Sequence, residues 1–159
     1  MNRVFLNTEE IPLPKWGKNL KNFTLKTLSV LGKDKCDLSV LLCGDEAISR
    51  LNARYRHKAQ ATDVLSFAFN EGGQFPCAGN YGSKRQFMGD IAISLDSLRN
   101  NALRFKICED EELRRLLIHG ILHLDGMKHS SNSKEEPMLI FQEKILMQLA
   151  DERIIGRNA

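Results

Sequence analysis

The chain has 159 residues, a formal net charge of +3, 42% hydrophobic residues and 27% charged residues, values that are ordinary for a soluble globular protein. No apolar run approaches the length of a membrane span, and the polar first residues exclude a secretory signal peptide. Four cysteines, at positions 36, 43, 77 and 108, form no Cys-x-x-Cys pair, so we expect reduced thiols and a cytoplasmic protein. The length predicts one domain spanning residues 1–159.

Hydrophobic periodicity predicts strands and helices in alternation over the first part of the chain. The pattern gives a strand, a helix, a strand, a helix and a strand, at residues 3–7, 15–31, 36–43, 45–56 and 62–69. Asp45 is the expected cap of the second helix. The glycine-rich stretch 70–87 predicts a long loop, of the kind that often carries function.

The second part of the chain predicts one more strand and three helices. The strand covers residues 88–94, and Asp96 is the expected cap of a helix that runs to about residue 105. An acidic turn at residues 109–112 suits the start of the next helix, which is almost wholly apolar. Ser133 and Glu136 have capping-box spacing before a last helix. The order predicts an α+β fold, in which one small mixed sheet of about four strands is covered by about five helices, with the apolar helix central.

Charge is distributed unevenly along the chain. Residues 1–60 carry eleven Lys and Arg against six Asp and Glu, whereas the remaining residues carry twelve against fourteen. A basic first half is compatible with a polyanionic partner such as a nucleic acid, and it is equally compatible with an ordinary solvated face.

Three of the four histidines, His119, His123 and His129, fall within eleven residues. A spacing of four places His119 and His123 on one face of the apolar helix, where their buried nitrogens need partners. Gly126 can adopt the left-handed conformation that ends a helix, so the chain can turn back and return His129 to the same point. Three imidazoles suit zinc and leave a fourth position open for water, as in catalytic sites. The pattern therefore predicts a metal centre.

The residue at position 120 helps to distinguish between the possible kinds of metal site. Zinc peptidases with a His-Glu-x-x-His motif carry their general base directly after the first ligand, where this chain has Gly120. A closed structural zinc site lacks an evident fourth ligand, because the nearest cysteine is Cys108, eleven residues upstream. The general base must therefore be hydroxide bound to the metal ion, a group of the substrate, or a residue from another segment of the chain.

Two arginines, Arg54 and Arg56, lie near the end of the second predicted helix. They cannot share a helical face, so at most one points at a given site. Arg56 is next to the following loop, where its forked donors can match the oxygens of a phosphate. A surface arginine that interacts with the helix dipole is an equally good interpretation of this residue type.

Four short motifs follow one another along the chain. The chain contains Asn52-x-x-Tyr55-Arg56, Thr62-Asp63-Val64-Leu65-Ser66-Phe67, Gly89-Asp90-Ile91 and His119-Gly-x-Leu-His123-Leu-x-Gly126-x-x-His129. Together they resemble the YbeY family of bacterial rRNA maturation factors over nearly the whole chain. The histidine motif is the most specific of the four.

The resemblance implies a zinc-dependent, single-strand-specific endoribonuclease that acts in maturation of 16S rRNA, including its 3′ end, and in ribosome quality control. It implies one zinc ion per chain held by His119, His123 and His129, with Arg56 as a catalytic residue that contacts the substrate. The implied partners are single-stranded RNA, rRNA and the ribosomal small subunit or its assembly factors. Ser66 and Asp63 are further candidate substrate-binding residues, although Asp63 equally suits a turn cap.

The sequence departs from many family members at three positions. Ala61 and Ala68 stand where prolines are common, and Lys128 stands where an aspartate commonly precedes the last ligand. We expect the alanines to change loop rigidity only, whereas Lys128 replaces a carboxylate beside the site with a cation. Two other functions remain open: a ribosome-assembly factor with a mainly structural zinc, and a metal-dependent hydrolase of a non-RNA substrate. Gly120 and the basic surface disfavour the second.

Overall fold

The computed structural model describes residues 1–69 and 85–156. Within these residues the order of elements is β1 (Arg3–Thr8), α1 (Gly17–Val30), β2 (Cys36–Cys43), α2 (Asp45–Arg56), β3 (Val64–Ala68), β4 (Gln86–Ser94), α3 (Leu95–Phe105), α4 (Glu109–Leu124) and α5 (Pro137–Gln148). The predicted α+β class, with one mixed four-stranded sheet and five helices, is confirmed. Most of the predicted loop at 70–87 lies outside the described residues, but its last two positions belong to β4.

The strands form a sheet with the order β1-β2-β4-β3. β1, β2 and β4 are parallel, and β3 pairs antiparallel with β4 at one edge. β2 and β4 end side by side, with Cys43 opposite Ser94, and a helix follows each of them almost at once. Two helix N-termini therefore meet at this end of the sheet, while β3 lies at the sheet edge and packs against α4.

The histidine-bearing helix α4 is packed on nearly all sides, against α1, α3, α5, β3 and β4. Leu113, Leu117, Ile118 and Ile121 are fully buried in the main hydrophobic core. Burial of one such side chain contributes about 1.5–3 kcal/mol, so the core fixes α4 and whatever α4 carries. A smaller cluster joins α2 to the opposite face of the sheet. Every helix in the described part of the chain is too short or too polar to cross a lipid bilayer.

The predicted caps of α2 and α3 are wrong. Gly44 and Ser94, rather than Asp45 and Asp96, are the N-cap residues. Asp96 accepts a hydrogen bond from the backbone N–H of Asp45 at 2.9 Å, and the Asp45 carboxylate accepts from the hydroxyls of Ser94 and Ser97. The start of α2 is thus capped partly by a side chain of α3, whereas Ser94 caps α3 and its hydroxyl is in turn bound by Asp45, because the two N-termini lie together at the ends of parallel strands.

The predicted capping box of the last helix is also wrong. Glu136 is the N-cap of α5, and Pro137 is its first helical residue. The Glu136 carboxylate accepts hydrogen bonds from the hydroxyls of Ser130 and Ser131 at 3.0 and 2.9 Å, whereas Ser133 makes no cap hydrogen bond to α5. Glu136 therefore fixes the serine-rich turn that follows the histidine motif.

A buried carboxylate joins three segments at the other end of the sheet. Asp37, on β2, is fully buried and forms ion pairs with Arg3 of β1 and with Arg85, which precedes β4. Burial favours the neutral acid, but the hydrogen bonds and positive charges of the two arginines outweigh it and lower the pKa of Asp37 to about 2. The ionised carboxylate therefore stabilises the folded state.

We expect Asp37→Asn to lower the free energy of unfolding by about 2 kcal/mol at pH 7, because a pKa lowered by nearly two units corresponds to that energy. The stabilisation is present above the ordinary aspartate pKa and is lost as pH falls from about 4 towards 2, so wild type and variant should converge there. Urea unfolding across this pH range measures the effect, with exposed Asp151→Asn as the control. A constant difference between wild type and Asp37→Asn at all pH values would contradict this assignment.

Candidate metal centre

The three histidines of the motif converge at one point. His119 and His123 lie one turn apart on α4, and their Nε2 atoms are 3.0 Å apart. The helix ends after Leu124, and Gly126, with φ +93°, turns the chain back. This turn brings His129 to the other two, so that one ligand nitrogen from each histidine lies within 4.8 Å of the others. The predicted conformation of Gly126 is confirmed.

Each imidazole is oriented through its other nitrogen. The Nδ1 atoms of His123 and His129 face the backbone carbonyl oxygens of Met127 and Ser131, at 3.0 and 2.9 Å. The Nδ1 atom of His119 faces the side-chain oxygen of Gln142, at 2.7 Å. A carbonyl oxygen can only accept, so each Nδ1 carries the proton and each Nε2 keeps its lone pair. All three rings therefore present a nitrogen lone pair that can bind a metal ion.

This donor set fits a metal ion. Burial lowers the pKa of His119 and of His123, which favours the neutral form that coordinates metals. Two neutral Nε2 acceptors 3.0 Å apart repel each other unless a cation lies between them. Zinc–nitrogen bonds of about 2.0–2.1 Å at a tetrahedral angle place ligand nitrogens roughly 3.3 Å apart. His119, His123 and His129 can thus hold one ion.

The histidines line a cavity of about 530 Å³ between α4, β3 and the segment that joins α2 to β3. Three cationic side chains also line it, namely Arg56, Lys58 and Lys128. Among the described residues that line the cavity, none is an aspartate or a glutamate. The cavity is therefore electropositive even without an ion, and its electrostatics favour a ligand that carries several negative charges.

Arg56 is held against the edge strand of the cavity. It is the last residue of α2, and its Nη2 donates to the backbone carbonyl of Ser66 at 2.6 Å. Its guanidinium also lies 5.4 Å from the ring centre of Phe67. Arg54 instead stacks over Tyr55 and does not line the cavity. Only Arg56 of the two arginines faces the site.

The two other candidate substrate-binding residues are placed differently. Ser66 lines the cavity, and its hydroxyl is 3.4 Å from the carbonyl oxygen of Gly120. The carboxylate of Asp63 accepts from the backbone N–H of Val64 at 2.7 Å and from the side chain of Asn101 at 2.9 Å. Asp63 is not among the residues that line the cavity, and its carboxylate instead connects the start of β3 to α3.

Gly120 packs against the sheet. A Cβ atom at this position would lie 3.0 Å from two carbons of Ile91, which is fully buried. A glutamate at the position of a peptidase base would therefore crowd the Ile91 side chain and require it to shift. The packing agrees with the sequence-based argument against a peptidase of the His-Glu-x-x-His type.

Comparison with known proteins assigns the chain to a family. A family model described as Endoribonuclease YbeY matches residues 5–150. Endoribonuclease YbeY of Treponema denticola is 46% identical over 135 residues, which cover 85% of this chain and 84% of that protein. Endoribonuclease YbeY of Treponema pallidum is 43% identical over 149 residues, covering 93% and 90%. The chain belongs to the endoribonuclease YbeY family.

The fold agrees with this assignment. The solution structure of TM1509 from Thermotoga maritima matches with a TM-score of 0.62 and 27% identity, over 95% of this chain and 91% of that one. The resemblance found in the sequence is confirmed, and as a YbeY-family member the chain is a nuclease, hence a hydrolase.

Two residues of the site were not singled out by sequence reasoning. Lys58 was counted only as part of the basic first half, although its position two residues after Arg56 was a usable signal. Gln142 lies within the last predicted helix, and nothing in the local sequence indicates that it meets His119, 23 residues earlier.

Proposed function

We propose that this protein is a zinc-dependent, single-strand-specific endoribonuclease of the cytoplasm. It forms one domain over residues 1–159, holds one zinc ion per chain, and acts in maturation of 16S rRNA, including the 3′ end, and in ribosome quality control. Its partners are rRNA and the ribosomal small subunit or its assembly factors. The observation that carries the proposal is a three-histidine centre in a cavity lined by three cations.

Zinc is the metal that best suits the donor set. His119, His123 and His129 supply three neutral nitrogens, a borderline-soft set that matches zinc better than magnesium or calcium, which prefer oxygen ligands. Three protein ligands leave one position free, the arrangement of catalytic zinc sites. When bound, zinc polarises a phosphoryl oxygen and makes water more acidic. The histidines themselves would hold the ion at the cavity wall.

The cations account for recognition of a phosphodiester. The single anchoring bond to the Ser66 carbonyl engages one of the five donors of Arg56 and holds the guanidinium beside the histidines. From there Arg56 binds the scissile phosphate and stabilises the charge that develops on its oxygens. Lys58 and Lys128, both exposed on the cavity wall, bind neighbouring phosphates. The basic first half extends this contact along the RNA backbone.

The partial burial of the site supports single-stranded RNA as the substrate. All three histidines are half-buried and line the cavity. A flexible single strand can bend its backbone into such a cavity, whereas a base-paired A-form helix is stiff and holds its phosphates on its outside. The ribosomal role is supported by the similarity to YbeY endoribonucleases and by the basic first half.

RNA and peptide cleavage can be compared directly. Zinc-loaded protein should cut an unstructured RNA and leave an unstructured peptide intact under the same conditions, because Gly120 supplies no general base and the cavity selects polyanions. Product analysis by electrophoresis and mass spectrometry measures both reactions. His119→Ala serves as the control for cleavage by a contaminating enzyme. Robust peptide turnover that disappears in His119→Ala would overturn the proposed substrate class.

A further inference from the structure

Gln142 connects helix α5 to the metal centre. Its side chain is 6% exposed, and its Oε1 atom lies 2.7 Å from Nδ1 of His119 on α4. The contact spans 23 residues of sequence and crosses the packed interface between the two helices. Gln142 is not one of the residues that line the cavity, so it touches the site only through His119.

The three histidines differ in how they are oriented. His123 and His129 donate to backbone carbonyls in the turns that follow them, and no substitution can remove those acceptors. His119 donates to a side chain, which a single substitution can remove. A histidine whose Nδ1–H lacks an acceptor can rotate or change tautomer, and then its Nε2 lone pair is no longer fixed towards the ion. The orientation of His119 therefore depends on Gln142.

We propose that Gln142 is a positioning residue of the metal centre, which holds His119 in the tautomer and orientation that bind the ion. This inference rests on the proposed metal-dependent function. It makes α5 part of the metal centre, although the ligands themselves come from α4 and from the turn behind it. It also assigns Gln142 a role that needs only an oxygen acceptor at this position, so a carboxylate can replace the amide.

Two substitutions distinguish the role of Gln142 as a hydrogen-bond acceptor from its role in packing. Gln142→Met keeps the length and bulk of the side chain but removes the oxygen, and we expect zinc affinity to fall by about 10–100-fold. Gln142→Glu keeps an oxygen that accepts from Nδ1, and we expect it to bind zinc at least as tightly as wild type. Gln148→Met, an exposed glutamine on the same helix, is the matched control and should not change affinity.

The measurement is zinc affinity by competition with a chromophoric chelator, together with the visible absorption spectrum of the cobalt-substituted proteins. Circular dichroism of the metal-free proteins checks that each variant folds. The cobalt spectrum should change for Gln142→Met, because the geometry of one ligand is altered, and should be unchanged for Gln148→Met. His119→Ala is measured in parallel, because it tests the metal centre itself.

The possible results test the role of Gln142 and the metal centre separately. Weaker zinc binding by folded Gln142→Met, restored by Gln142→Glu, supports the inference. Wild-type affinity in Gln142→Met, or equal losses in both Gln142 variants, overturns it while leaving the metal centre intact, provided that His119→Ala loses zinc. Undiminished zinc in His119→Ala would instead reject the proposed centre.

Discussion

Replacing His123 with alanine should remove most of the bound zinc and abolish RNA cleavage. Two imidazoles cannot hold the ion as three do, and His123 lies between the other ligands in the chain, with its Nε2 3.0 Å from that of His119. The loss of zinc affinity should exceed the roughly 10–100-fold loss that is typical when a residue hydrogen-bonded to a metal ligand is removed. Zinc content by elemental analysis and turnover of single-stranded RNA should fall together.

The fourth histidine provides a matched control. His57 lies just after α2, has a left-handed conformation with φ 58°, and is not part of the metal group. His57→Asn keeps a residue that tolerates this conformation and should leave zinc content unchanged. Because an ion that binds only the folded state stabilises it, verified zinc removal should lower the melting temperature of wild type but not that of His123→Ala. Undiminished zinc in His123→Ala would remove this residue from the ligand set.

Arg56→Ala should retain zinc and lose cleavage activity by a factor on the order of 10² to 10³, the size expected for one preorganised electrostatic contact. The side chain is exposed, and its loss removes one hydrogen bond to the Ser66 carbonyl and one contact with Phe67, which together stabilise the fold by about 1–2 kcal/mol. Arg56→Lys should recover only part of the activity, because an ammonium ion cannot bind a phosphate through two parallel hydrogen bonds.

Arg54 is the control for Arg56. It belongs to the same helix and carries the same charge, but it stacks on Tyr55 and does not line the cavity. Arg54→Ala should therefore cost far less activity. Turnover, zinc content and melting temperature are measured on the same preparations. Near-normal cleavage by zinc-loaded Arg56→Ala would reject the phosphate-binding role, and a collapse of its melting temperature would make Arg56 a structural residue.

The convergence of the three histidines could be predicted from the sequence because its geometry is mostly local. A spacing of four residues on a helix fixes the relative positions of His119 and His123, and the burial of α4 follows from its apolar composition. Gly126 indicated where the helix ends, and it has a positive φ in the structure. A site built from one helix and the turn behind it is largely determined by short-range patterns.

Contacts between distant segments could not be predicted in this way. Asp45 and Asp96 have the residue type of N-caps, yet they satisfy neighbouring groups because β2 and β4 end together and bring two helix starts into contact. Gln142 meets His119 only because α5 packs beside α4. Lys58 reaches the cavity because α2 ends next to the edge strand. These contacts depend on how the elements pack, about which local sequence patterns contain little information.

The most direct test of a zinc-dependent, single-strand-specific endoribonuclease uses one RNA in two states. Metal-depleted protein, the same protein reconstituted with one equivalent of zinc, and His123→Ala treated identically are incubated with an end-labelled unstructured RNA, either alone or annealed to its complement. We expect internal cleavage of the single strand by the reconstituted wild-type protein only, and little cleavage of the duplex. Equal cleavage by the metal-depleted protein or by His123→Ala, or equal cleavage of the duplex, would contradict the proposed function.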